Sequence, residues 1–226
     1  MGEHIKIKST HEDGFEFSAY RAGPEGPARG GVVVIQEIFG IDQYVRADVE
    51  RWAALGFEAI APSMYDRVKP GLEVGHDDAG MAEAFSVVRQ AKPEHAFADI
   101  AAVIDRLKTK GPVFIVGYCY GGTMVWQAVA RLDGLAAGSS YYGGGVAGAA
   151  DLTPKCPVIL HLGRKDTHIP ADEVKAKIES LHPDVPVYVY ENSGHGFNND
   201  GRPDSDLDDA KLARKRTLEL FEANGA

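Results

Sequence analysis

Cysteine is scarce in this chain: there are two in 226 residues, Cys119 and Cys156. They form no Cys-x-x-Cys pair, and no Cys/His cluster stands at zinc spacing, so a structural metal site is not expected. Positive charge is also in short supply. Lys and Arg number 24 against 33 Asp and Glu, a formal net charge of -9. A nucleic-acid or anionic-membrane partner needs a basic surface, so neither is expected. No run of about 18 apolar residues is present to span a membrane. The start, Met1-Gly2-Glu3-His4-Ile5-Lys6, lacks the apolar stretch of a signal peptide. The expected compartment is a reducing cytoplasm, which suits a free thiol. Internal repeats, low-complexity tracts and interdomain linkers are absent too. What remains is an apolar fraction of 44% and a charged fraction of 25%, ordinary for a soluble globular protein. The length fits one core, so a single domain over 1–226 is expected.

Strand and helix signals alternate along most of the chain. His4–Lys8 and Phe15–Arg21 read as two strands around a turn at Glu12-Asp13-Gly14. Gly31–Ile35 is a continuous β-branched run, as in a buried parallel strand. Tyr44–Leu55 has helical spacing, and Phe57–Ile60 reads as a short strand. Tyr65–Asp78, polar with Pro70, Gly71 and Gly75, reads as a loop reaching over one end of the sheet. Helices are expected at Met81–Gln90 and from Pro93 or Glu94 to Lys108. Strands are expected at 113–116, 136–141, 157–162 and 187–190. Further helices are expected at 123–131, 171–181 and 205–223. This order predicts an α/β fold, with a mainly parallel sheet of about eight strands, helices on both faces and an antiparallel pair at one edge.

One run carries the chemistry. Val113-Phe114-Ile115-Val116 leads into Gly117-Tyr118-Cys119-Tyr120-Gly121, a Gly-x-Cys-x-Gly between strand and helix. That is the nucleophile-elbow pattern with cysteine in the serine position. The glycines supply positions where a Cβ would collide. The turn sets Cys119 at a helix N-terminus, where backbone N–H groups favour a thiolate or an oxyanion, and the reading requires Cys119 to be free of any disulfide. A thiol also needs a base, and the base an orienting group. Asp166 follows one expected strand and His195 the next. In a parallel sheet those loops gather at the carboxyl ends of the strands. Nucleophile, acid, histidine is the triad order of α/β-hydrolases. Cys119 would attack a carbonyl, His195 would carry its proton to the leaving group, and Asp166 would orient the imidazole.

Glu37 ends the first long parallel strand and should reach the same end. Its bland reading is a solvated loop carboxylate. Cys156 and His161 read as structural. His168 could line the pocket, and Tyr141 or Tyr142 could either face the site or pack in the core. Asp204, Asp206, Asp208 and Asp209 suit a helix start rather than a metal.

Taken with Gln36-Glu37-Ile38-Phe39-Gly40, Gly117 to Gly122, Asp166 and Gly194-His195-Gly196-Phe197, the chain resembles the dienelactone hydrolases (carboxymethylenebutenolidases) of the α/β-hydrolase superfamily. The segments span nearly the whole chain. The resemblance implies that Glu37 contacts a neutral resting thiol and helps deprotonate it when substrate binds. It also implies an oxyanion hole from the backbone N–H groups of Ile38 and Tyr120. The bottom-up reading agrees for Tyr120, the residue after the nucleophile. The family's two carboxylate-holding arginines fall on Met81 and Asn199, which cannot pair with a carboxylate. Arg67, Arg89 or Arg202 could substitute from nearby. The expectation is therefore hydrolysis of a small ester or lactone, neutral or charged elsewhere, through a cysteine acyl-enzyme and without a cofactor. Phe39, Met81, Phe197 and Asn199 would line the substrate, and the protein would be a monomer or weak homodimer. Rival readings are acyl transfer, thioester hydrolysis, or a non-enzymatic binder or redox-responsive protein.

Overall fold

The structure, a computed structural model, describes residues 2–202 and 205–226. Eight strands lie in one sheet in the order β1-β2-β4-β3-β5-β6-β7-β8. The chain forms two compact units that meet in sequence between Phe114 and Ile115.

The first unit holds β1 (Glu3–Lys8), β2 (Glu16–Ala22), β3 (Gly31–Ile35) and β4 (Glu58–Pro62), with α1 (Gln43–Ala54), α2 (Asp78–Val88) and α3 (Pro93–Leu107). β1 and β2 pair antiparallel, β2 and β4 antiparallel, and β3 and β4 parallel. Every residue of β3 and β4 is buried, which explains why β3 reads as an unbroken β-branched run rather than an alternating one. A Cβ at Gly31 would meet Leu107, so α3 lies tight against β3. α1 starts where Asp42 accepts the N–H groups of Tyr44 and Val45, a side-chain N-cap. α2 starts earlier than expected, at Asp78, because Asp77 caps it through the Gly80 N–H.

The second unit holds β6 (Ala137–Tyr141), β7 (Val158–Gly163) and β8 (Val187–Tyr190), with α4 (Tyr120–Arg131), α5 (Ala171–Leu181) and α6 (Leu207–Ala223). β5 (Val113–Tyr118) spans the sequence boundary. β6, β7 and β8 run parallel, with Tyr141 beside His161 and Gly163 beside Tyr190. That register brings the loops after β7 and β8 out at one level. α6 is capped by Asp206, which accepts from Asp208 and Asp209, so those acids mark a helix start as expected. The reading of Asp204 falls outside the described residues.

One expectation is corrected. The helix after the elbow begins at Tyr120, three residues before Thr123. Gly121 and Gly122 read as a loop in sequence, yet they are helical. A Cβ at Gly122 would strike the Tyr141 carbonyl, so the small residue serves the approach of α4 to β6 rather than breaking the helix. Among the described residues no helix is long and apolar enough to cross a membrane.

Candidate active site

Cys119 sits between β5 and α4 with φ 53 and ψ -111, a left-handed conformation that side-chain-bearing residues rarely hold. Several contacts enforce it. The Cys119 N–H donates to the Tyr141 carbonyl at 3.0 Å, and the Cys119 carbonyl accepts the Thr123 N–H at 3.1 Å. A Cβ at Gly117 would collide with the Gly121 carbonyl, so the turn closes only around glycine. Strain of this kind, held by its surroundings, gathers at functional sites. The thiol is half-buried and free. The Tyr120 N–H lies in the first turn of α4.

Asp166 and His195 meet across the ends of β7 and β8. The His195 Nδ1 lies 2.7 Å from Asp166 Oδ2. The other carboxylate oxygen accepts the backbone N–H groups of His168 at 2.8 Å and Ile169 at 3.1 Å. The two loops are joined directly, since Arg164 N–H reaches the Tyr190 carbonyl and Lys165 N–H the Ser193 carbonyl. Ser193 is tied in turn to Asp209 of α6 at 2.8 Å. Gly163 has no room for a Cβ against the Ser193 carbonyl, which is how closely the loops approach.

His195 also hydrogen-bonds the Cys119 side chain. Burial alone would lower its pKa. The hydrogen bonds to Asp166 and Cys119, with the charge on both, outweigh burial and push it up to about 10. Asp166 moves the other way. Burial opposes its charge, but His195 and the His168 and Ile169 amides hold its pKa below the usual carboxylate range. The result is an imidazole oriented by Asp166 and hydrogen-bonded to the Cys119 side chain. Tyr142 packs against it at 5.1 Å between ring centroids, and His168 edge-on at 5.7 Å.

Glu37 and Ile38 follow β3 and are buried, so Glu37 is not a solvated loop carboxylate. Phe39 is buried beneath the ring of His76. Met81 is half-buried on α2. Phe197 is fully buried among Tyr141, Tyr142 and Tyr190, a core position two residues past His195. Asn199 is buried as well. Arg67 is already engaged: its guanidinium pairs with Asp13 and Asp99 and lies over the Phe15 ring. Arg89 ends α2 in an exposed position. The Arg202 guanidinium stands where a Cβ on Gly196 would be, next to His195. Cys156 is half-buried, and His161 is fully buried in β7 with its Nδ1 2.8 Å from the Tyr190 hydroxyl. Burial pushes the Cys156 thiol up to about 11 and, with Arg216, takes His161 down to about 3.

His11, Asp13 and His95 gather in the first unit, close enough for a cation. Asp13 already accepts Arg67 on one carboxylate oxygen and the Phe15 N–H on the other. Sequence reading missed two features. Tyr142, at φ 37, has no signal in a Tyr-Tyr pair. The pair of Asp42 and His76, 2.7 Å apart, joins residues that are distant in sequence.

Residues 17–225 match the model of the dienelactone hydrolase family. The chain belongs to that family. A carboxymethylenebutenolidase from Cupriavidus pinatubonensis is 31% identical over 95% of both chains. The carboxymethylenebutenolidase of Pseudomonas putida is 29% identical over 98% of this chain and 96% of its own. Among solved structures, a candidate dienelactone hydrolase from Klebsiella pneumoniae superposes with a TM-score of 0.84 at 26% identity, over 98% of this chain and 99% of that one. Membership makes the chain a hydrolase, on an α/β-hydrolase fold.

Proposed function

We propose that the protein hydrolyses a small ester or lactone through a thioester formed on Cys119. The observation that carries this reading is His195, whose Nδ1 lies 2.7 Å from Asp166 Oδ2 and which also hydrogen-bonds the Cys119 side chain. The sulfur attacks the carbonyl carbon, and the bond to the leaving oxygen breaks. The proton shared by Cys119 and His195 passes to that oxygen. Water then gives a proton to His195 and attacks the thioester, releasing the acid and restoring the thiol. No step calls for a cofactor.

The Tyr120 and Ile38 amides are proposed as oxyanion donors, each worth about 3 kcal/mol to the transition state. Glu37 is proposed to activate the thiol. Because His195 already hydrogen-bonds the sulfur, Glu37 is expected to tune the rate rather than permit it. The relatives named carboxymethylenebutenolidase support a lactone as substrate. Met81 and Asn199 where a carboxylate clamp would stand, and Arg67 spent on Asp13 and Asp99, favour a neutral lactone or ester over one that carries a carboxylate. A cytoplasmic monomer or weak homodimer fits this role.

The test is intact mass after rapid mixing with p-nitrophenyl acetate. Wild type should form an acetyl adduct and turn over, Cys119→Ala should form none, and Glu37→Ala should form it more slowly. A folded wild type that neither acylates nor opens small lactones would sink the proposal in favour of a binding or redox role.

A further inference from the structure

β3 passes into Gln36–Gly40, a segment buried at every position. Its backbone is tied down from several sides. Gln36 donates to the Glu37 carbonyl and accepts the Met64 N–H, both at 3.2 Å. The Val74 N–H donates to the Phe39 carbonyl at 3.1 Å. Gly40, at φ +92, has the Leu72 carbonyl where a Cβ would be. Arg46 donates to the Ile41 carbonyl at 2.6 Å and grips both oxygens of Glu73.

The Phe39 ring is held by something else. The His76 ring lies over it at 3.8 Å between centroids, tilted 23°, and Tyr44 meets His76 edge-on at 5.4 Å. His76 Nε2 donates to Asp42 Oδ2 at 2.7 Å. The other oxygen of Asp42 caps α1. The Nδ1 of His76 is buried and has no hydrogen-bond partner. A packed interior avoids such an atom. Phenylalanine would stack on Phe39 as well and leave no nitrogen stranded. What histidine alone supplies is the bond to Asp42, which turns a packing contact into an oriented one.

We propose that His76 is a positioning residue for the reaction: Asp42 aims its ring, the ring fixes Phe39, and Phe39 fixes the adjoining Ile38 N–H. The proposal rests on the reading that the Ile38 N–H serves ester cleavage as an oxyanion donor. It requires the constellation to be sensitive to small displacements, and a shift of about 1 Å can cost a hundredfold in rate.

The experiment uses His76→Phe and Asp42→Asn with p-nitrophenyl acetate, beside thermal melting and the rate of iodoacetamide alkylation at Cys119. His76→Phe keeps the stack and loses the bond. Asp42→Asn keeps a capping oxygen and replaces the acceptor with a donor. His76→Phe should lower kcat about tenfold, with KM, melting midpoint and alkylation rate unchanged. Asp42→Asn should lower kcat by a smaller factor, again without moving KM. An unchanged kcat in both, or a kcat that falls in step with melting or alkylation, overturns the proposal. Where His76→Phe does not fold, Asp42→Asn decides by the same criteria. Failure of the underlying reading shows separately, as a wild type that forms no acetyl adduct.

Discussion

Each unit of the protein contains a histidine–aspartate pair at 2.7 Å, and the two are built alike. Asp166 accepts the N–H groups two and three residues on with one oxygen and His195 with the other. Asp42 does the same with Tyr44, Val45 and His76. The difference lies on the far side of each ring. His195 meets the sulfur of Cys119, whereas the remaining nitrogen of His76 meets no partner and its face lies on Phe39. A carboxylate that spends one oxygen on its own backbone is a rigid mount for an imidazole. Whether the mount does chemistry or holds a shape depends on the third group.

Removing that third group should have the largest effect. On the proposed mechanism Cys119→Ala should lower ester turnover by at least about ten-thousand-fold, leaving only binding and the proposed oxyanion donors. Steady-state release of p-nitrophenol measures it. A residual rate above about 1% of wild type would move the nucleophile elsewhere.

Unmounting the two rings sharpens the comparison. Asp166→Asn leaves the shape and removes the charge that orients and supports the His195 imidazolium, so kcat should drop by about a thousandfold. The matching change, Asp42→Asn, should cost only a few-fold. Equal losses in the two would mean that both pairs belong to one chemical unit.

The two cysteines test the same idea on a smaller scale. Cys156 is pushed up to about 11 by burial. Cys119 is half-buried, begins a helix and shares a hydrogen bond with His195. Iodoacetamide at neutral pH should modify Cys119 at least about a hundredfold faster, as read by peptide mapping. His195→Ala should narrow that gap, and Asp42→Asn should leave it alone.

How legible these features are in sequence depends on what each residue answers to. β3, α5 and β8 have the bounds that the sequence predicts, because an unbroken β-branched run, an amphipathic period and a short aromatic–valine alternation each have one reading. Cys119, Asp166 and His195 are visible because each follows a strand, and the topology then brings such loops together. The first turn of α4 is hidden because Gly121 and Gly122 answer to packing rather than to helix propensity. Arg67, readable as a carboxylate ligand, is paired with acids that only the fold brings near it. The bond from Asp42 to His76 crosses 34 positions and joins a cap to a loop without periodicity. Asp42 is readable as a cap, whereas nothing in the run from Tyr65 to Asp77 distinguishes His76.

The smallest expected effect separates what the His195 mount does for stability from what it does for rate. The folded value of His195, about 10, lies above its ordinary 6.5, so the folded state binds the proton more tightly than the unfolded chain. Its stabilisation is therefore complete below about 6.5, fades as pH rises, and is gone above about 10. Asp166 has the opposite sign. Its lowered value stabilises the fold above the ordinary carboxylate range, and that contribution disappears as pH falls through the folded value. Urea unfolding of wild type and His195→Gln should therefore differ most in mildly acid solution, by on the order of 1 kcal/mol, and converge by strongly alkaline pH. A gap that widened with pH would mean that the ring is held neutral. His195 would then have to take the thiol proton on attack rather than already hold it, and Glu37 would carry more of the activation than the geometry around Cys119 implies.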